Sequence, residues 1–118
     1  MRYLLLIQSD PNAVNPTAPD DRLLEEMGKL LEDMTKAGVL LDTAGLRPID
    51  EATRIQLADG RQTVVDGPFT ESKEIVGGYC LLQARSKDEA VEWGSRFLEL
   101  HGPDWEIGLE IRQLDDPV

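Results

Sequence analysis

Asp66, Glu71, Lys73 and Glu74 fall within the nine residues of "DGPFTESKE", and the apolar run "IVGGYCLL" follows at once. A carboxylate beside an ammonium group is favoured in its charged form, which suits the binding of a polar or charged ligand. A general base working near neutrality needs desolvation instead. Asp66, Glu71 and Glu74 are therefore the candidates for acid/base chemistry. Lys73 and Arg47 are the groups that would steer an anionic substrate, Arg47 through its two-pronged guanidinium. The competing reading is a turn with surface ion pairs in front of a core strand, an arrangement that contributes little to stability.

Other chemistry is sparse. No Cys/His cluster has metal-ligand spacing, no glycine-rich phosphate loop occurs, and no GxSxG element is present, so no metal or cofactor is expected. The single histidine, His101, precedes Gly102-Pro103 at the expected end of a helix. There it interacts favourably with the helix dipole and reads as structural. Gly77-Gly78 interrupts an apolar strand, either for close backbone packing or to leave space for a ligand. Asp42, Tyr79 and Tyr3 are weaker candidates, with Tyr79 expected in the core.

These residues need a scaffold. Residues 2–8 read as a strand apolar on both faces. The proline-rich "SDPNAVNPTAPDD" is a long loop of the kind that flanks sites. In 21–37, Leu23, Leu24, Met27, Leu30, Leu31 and Met34 recur at helical spacing, with Asp20 or Asp21 as cap and Gly38 as terminator. "VLLDTAGLRP" is a second strand. Asp59-Gly60 between two β-favouring runs in 52–66 is a hairpin signal. Gly67-Pro68 then turns the chain sharply, and Phe69 is expected to plug that turn against the core. Residues 75–84 form the most apolar strand. Ser86 and Glu89 have capping-box spacing at the start of a second helix that buries Ala90, Trp93, Gly94, Phe97 and Leu98. In "WEIGLEIRQL", Ile107, Leu109 and Ile111 alternate with Gly108, Glu110 and Arg112.

With the hairpin taken as an insertion, two β-α-β halves remain. Right-handed crossovers place both helices on one face of an antiparallel sheet, giving a ferredoxin-like α+β domain over residues 1–118. The other face is apolar in part, with Leu4 and Leu6 exposed to solvent unless covered. A homodimer through the sheet face follows as an expectation. The chain carries 12 basic and 23 acidic side chains for a net charge of -11, which opposes binding to nucleic acid and to anionic membranes. The apolar run Tyr3 to Ile7 is too short for a membrane span or a signal-peptide core, and a cytoplasmic location is expected. Cys80, the lone cysteine, reads as a buried structural thiol.

"DGPFTESKEIVGGYCLL" resembles the signature of the DGPF proteins within the YCII-related family, with Thr70 at the small-residue position and Ser72 at the hydroxyl position. "AGVLL", "GLRP", the Asp-Gly hairpin and "DEAVEW" extend the resemblance from Met1 to Leu114. It carries over to Asp66, Gly67, Pro68, Phe69, Glu71, Lys73, Glu74, Gly77 and Gly78. The resemblance implies a ferredoxin-like domain paired into a dimeric α+β barrel, and a link to extracytoplasmic-function sigma-factor signalling. The broader family has a proposed histidine and aspartate site with the histidine in the first helix. Residues 20–37 here contain no histidine. Three readings follow: a homodimeric module that binds a small molecule or a regulatory protein, a small-metabolite enzyme with a carboxylate acid/base, and a motif that serves only folding and dimerisation.

Overall fold

A computed structural model describes residues 1–69 and 74–116. Its central strand is β1 (Arg2–Ser9), which pairs antiparallel with β5 (Ile75–Gln83) on one side and β6 (Gly108–Gln113) on the other. Strand β2 (Leu40–Gly45) pairs antiparallel with β5 and completes a four-stranded sheet of order β2-β5-β1-β6. Helix α1 (Asp21–Lys36) links β1 to β2, and α2 (Lys87–Glu99) links β5 to β6. Strands β3 (Thr53–Ala58) and β4 (Arg61–Asp66) form a separate ribbon inserted between the two halves. This is the ferredoxin-like α+β arrangement that the sequence pattern predicts.

Local chemistry sets the ends of the elements. The Asp20 carboxylate accepts from the Leu23 amide at 2.8 Å and Ser86 Oγ accepts from the Glu89 amide at 3.1 Å, so each helix has a side-chain N-cap. Gly38, at φ 73°, closes α1 in the left-handed region where a Cβ is disfavoured. Asp59 and Gly60, at φ 53° and 74°, give the paired left-handed geometry that suits the twist of a two-residue hairpin.

Strand register sorts the side chains. Leu5 lies between Cys80 and Ile111, and Tyr3 lies opposite Leu82, on the face that the helices cover. Tyr3, Leu5, Leu82, Leu30, Met34 and Ala90 are all buried in one core cluster. Leu4, Leu6, Tyr79, Leu81, Glu110 and Arg112 alternate with these and take the open face. Gly94 is buried where α2 crosses the sheet. A Cβ there would meet Leu109 Cδ1 at 3.0 Å and Leu5 Cδ2 at 3.5 Å, so α2 sits close to the strands.

Several details differ from the sequence reading. Leu24 is 57% exposed, because it falls at the outer edge of the α1 stripe. Tyr79 lies on the open face and not in the core, since strand alternation couples it to Leu81 rather than to Leu82. A short 3₁₀ turn, Ile49–Glu51, precedes the hairpin. Ile107 precedes β6 rather than extending it. No helix among the described residues is long and apolar enough to cross a membrane.

Gly94→Val places a branched side chain against Leu109 and Leu5. The expected loss is about 1–3 kcal/mol of stability, read as a lower denaturant midpoint with an unchanged slope. A midpoint at or above the parent value would show that α2 is not held against the strands.

Candidate functional site

Asp66, Gly67 and Phe69 form a latch at the base of the hairpin. Thr53 and Asp66 are register partners, and the Thr53 hydroxyl donates to Asp66 Oδ1 at 2.8 Å. The Gly67 amide donates to the Ala52 carbonyl at 2.7 Å. A Cβ on Gly67 would lie 2.9 Å from the Ile49 carbonyl oxygen and 3.2 Å from that of Ala52, so only glycine fits against the 3₁₀ turn. Pro68 follows in a cis peptide. Phe69 lies outside the core cluster that the sequence reading assigned it to. Its ring packs under the Arg54 guanidinium, 3.7 Å from the ring centroid, in a cation–π contact at the hairpin base. Glu71 and Lys73 lie outside the described residues. Glu74 is exposed at a shallow groove between the ends of β1 and β6, lined also by Asp10 and Glu106. Arg47 is exposed and pairs with Glu51 at 3.1 Å, one turn along the chain. Asp66, Phe69, Glu74 and Arg47, the described members of this set, do not converge on one site.

A different place does converge. Between the sheet and the two helices lies a cavity of about 480 Å³. Met27, Leu30, Leu31 and Met34 of α1 form one wall, and Trp93 and Phe97 of α2 form another. Leu5, Ile7, Cys80 and Leu109 form its floor, with Gly77 and Thr43 at the margin. Pro19 of the long loop stands at its edge. That loop is pinned by Asn15, whose side chain both accepts from the Glu106 amide at 2.6 Å and donates to its carbonyl at 3.2 Å.

His101 completes the lining. It also lines the cleft outside, together with Asp20, Arg22, Asp104 and Trp105. Its Nδ1 lies 2.8 Å from the Phe97 carbonyl, which can only accept, so Nδ1 carries the proton. Burial pushes the imidazole below its ordinary pKa and the charge of Arg22 acts the same way, against the opposing hydrogen bond to Phe97. The ring is therefore neutral at pH 7 and Nε2 holds a free lone pair. The Phe97 and Trp105 rings pack against it at centroid distances of 4.7 and 5.4 Å. Burial likewise pushes the Cys80 thiol up, which keeps it protonated and unreactive. Sequence reasoning placed His101 in a structural role at the helix end. The missed signal is the spacing of Trp93, Phe97 and His101, each four residues from the last and so on one helical face.

On the open face the Tyr79 hydroxyl donates to Asp42 Oδ2 at 2.8 Å. That bond to the carboxylate, together with burial, raises the phenol's pKa. The pair joins β5 to β2 across the sheet surface, on the side away from the cavity. Among the described residues no group of three or more His, Cys, Asp or Glu side chains is placed to hold a metal ion.

A two-layer ferredoxin-like domain with an apolar chamber between its layers is the class that fold and cavity define. The model of the YCII-related domain matches residues 1–112, and the chain belongs to that family. It is 30% identical over 95 residues to an uncharacterized protein of Rhizobium meliloti (strain 1021), across 79% of this chain and 77% of the relative.

The double glycine divides into two roles. A Cβ on Gly78 would lie 2.8 Å from the Ala44 carbonyl oxygen, whereas one on Gly77 would meet nothing within 4 Å. Gly78→Ala is expected to lower stability by about 1–3 kcal/mol, because strand backbone must shift. Gly77→Ala is expected to change it by less than about 1 kcal/mol. Paired thermal melts check this, and equal losses would contradict the assignment.

Proposed function

We propose that this YCII-related protein is a homodimeric binding module that holds a small, largely apolar molecule between its helices and its sheet. The observation that carries the reading is the chamber of about 480 Å³, within the usual size range of small-molecule sites. Its walls come from both helices and all four strands of the sheet, with few polar groups among them. The candidate carboxylates Asp66 and Glu74 lie outside this chamber, which weighs against an acid/base enzyme centred on the motif. Among the described residues of the motif, Gly77 reaches the chamber.

Asp66, Gly67 and Phe69 serve the second reading, in which the motif of a DGPF-type protein is a folding device. Their partners are Thr53, the 3₁₀ turn and Arg54, all within the hairpin and its approach. A link to extracytoplasmic-function sigma-factor signalling would then run through the ligand or a regulatory protein, with the motif holding the hairpin in place.

The homodimer through the sheet face, as in a dimeric α+β barrel, draws support from surface area. The chain exposes 8545 Å² and measures 47 × 42 × 18 Å. A compact monomer of this mass exposes about 6,400 Å². The excess is larger than the roughly 800 Å² per partner that a stable interface covers. Leu4, Leu6 and Leu81 on the open sheet face, and Ile55, Leu57 and Val64 on one face of the ribbon, are the apolar residues that a second copy would cover. The last three are 67%, 71% and 66% exposed.

Two experiments test these proposals. The neutral probe N-phenyl-1-naphthylamine should bind saturably, one per chain, with a Kd of about micromolar order. Leu31→Trp, which fills the chamber, should abolish that binding without lowering the melting temperature. Unsaturable binding, or binding that survives the filling, would remove the chamber as the site. In sedimentation at micromolar concentration the protein should run at twice its 13.1 kDa chain mass, and Leu6→Asp should shift it to the single-chain mass. A 13.1 kDa species for the parent protein would remove the dimer.

A further inference from the structure

The chamber's polar equipment is small and one-sided, and that restricts what it takes. The Thr43 hydroxyl donates to the Tyr79 carbonyl at 2.9 Å and so offers only its oxygen lone pairs. Cys80 is a weak donor at most. The Nδ1 proton of His101 is committed to the Phe97 carbonyl. No hydrogen bond reaches Nε2, yet no side-chain nitrogen or oxygen among the described residues is both fully buried and unpartnered. Nε2 therefore faces open space, and His101 lines both the chamber and the cleft outside it. A helix carbonyl locks the tautomer and two aromatic rings hold the imidazole plane, so the acceptor is pre-positioned.

We propose that His101 is the polar anchor of the chamber, and that the ligand is a hydroxyl-bearing aromatic molecule of the phenol or naphthol class, donating its O–H to His101 Nε2. This rests on the chamber being a small-molecule site and adds the chemical class of its occupant. The ligand needs a donor because the strong groups left open accept. It needs an apolar body because Met27, Leu31, Met34, Trp93 and Leu109 surround the remainder. It is aromatic because Trp93 and Phe97 present rings and the methionines present polarizable sulfurs, both of which favour a flat π surface. An anionic head is disfavoured, since the outer cleft holds Asp20 and Asp104 against the single cation Arg22, which already donates to the Leu100 carbonyl at 3.0 Å.

The test compares 2-naphthol with 2-methylnaphthalene, which matches it in shape and lacks the donor. Calorimetric titration of the full chain should find 2-naphthol bound about three- to tenfold more tightly. In His101→Phe, which keeps a ring of similar size, the two should bind alike. Because His101 is the only histidine, its ¹⁵N signals are unambiguous in the parent protein. The Nε2 resonance should move on adding 2-naphthol and stay in place with 2-methylnaphthalene, a readout that needs no variant to fold. Equal affinities and an unmoved Nε2 resonance would overturn the anchor while leaving the chamber as an apolar site. Failure of both compounds to bind would overturn the chamber as a site for such molecules and the anchor with it.

Discussion

How closely α2 approaches the sheet decides the rest of the architecture. Ala90 is fully buried at the contact, and Gly94 leaves so little room that an added Cβ would press on Leu109 at 3.0 Å. Small residues permit this, since the distance at which a helix packs is set by the side chains at its contact. Helix α1 rests on the same core through longer side chains, with Leu23, Leu30 and Met34 buried. One helix seated by Ala and Gly, and the other by Leu and Met, leave a wedge between them over the middle strands. The chamber is that wedge. The same seating carries Trp93 and Phe97 down one face of α2, and His101 just past its end, along the chamber wall.

Most of this fold was legible in the sequence because its elements announce themselves locally. Caps at Asp20 and Ser86, a left-handed terminator at Gly38 and a two-residue turn at Asp59-Gly60 are short-range signals, and each acts where its residue type requires. The topology followed from connection rules. Less legible were features that depend on what lies across from a residue. Tyr79 resembled a core side chain because its neighbours are apolar, but alternation puts it on the open face, where Asp42 satisfies its hydroxyl. Leu24 belongs to the apolar stripe by spacing, yet nothing covers its edge of the helix. The ribbon's alternation is plain in the sequence. That its apolar face, Ile55, Leu57 and Val64, would stand clear of the rest of its own chain is not.

The site was less legible than the fold, and for a physical reason. The motif from Asp66 to Glu74 drew attention because charge beside an apolar strand is unusual. In the structure Asp66, Gly67 and Phe69 serve their immediate neighbours, as residues at a sharp junction between a free-standing ribbon and a central strand must. The chamber has no local signature. Its lining residues come from distant parts of the chain, and most are of the kind that fills a core. Only their failure to meet marks them, and that is a property of three-dimensional stand-off. His101 was the exception available to a reader of sequence, a polar group in register with Trp93 and Phe97.

A chamber of this size is hard to account for as a packing fault. It opens to solvent past Pro19, Thr43, Ala44 and Gly77, all exposed, and apolar side chains from both helices and the sheet stand around it unpaired. A sequence under no other demand would close it, for instance with larger residues at Gly94 and Ala90 or by letting α1 settle. Water is a poor filling, because a buried water makes about three hydrogen bonds and the walls offer Nε2 of His101, the Thr43 oxygen and a thiol. Water at the centre, between Met27, Leu31 and Leu109, would bond only to other water. An apolar occupant removes that deficit and buries its own surface as it does so. On the proposed reading, an occupant with an apolar body covers these walls, and the Nε2 lone pair of His101 at the rim orients it.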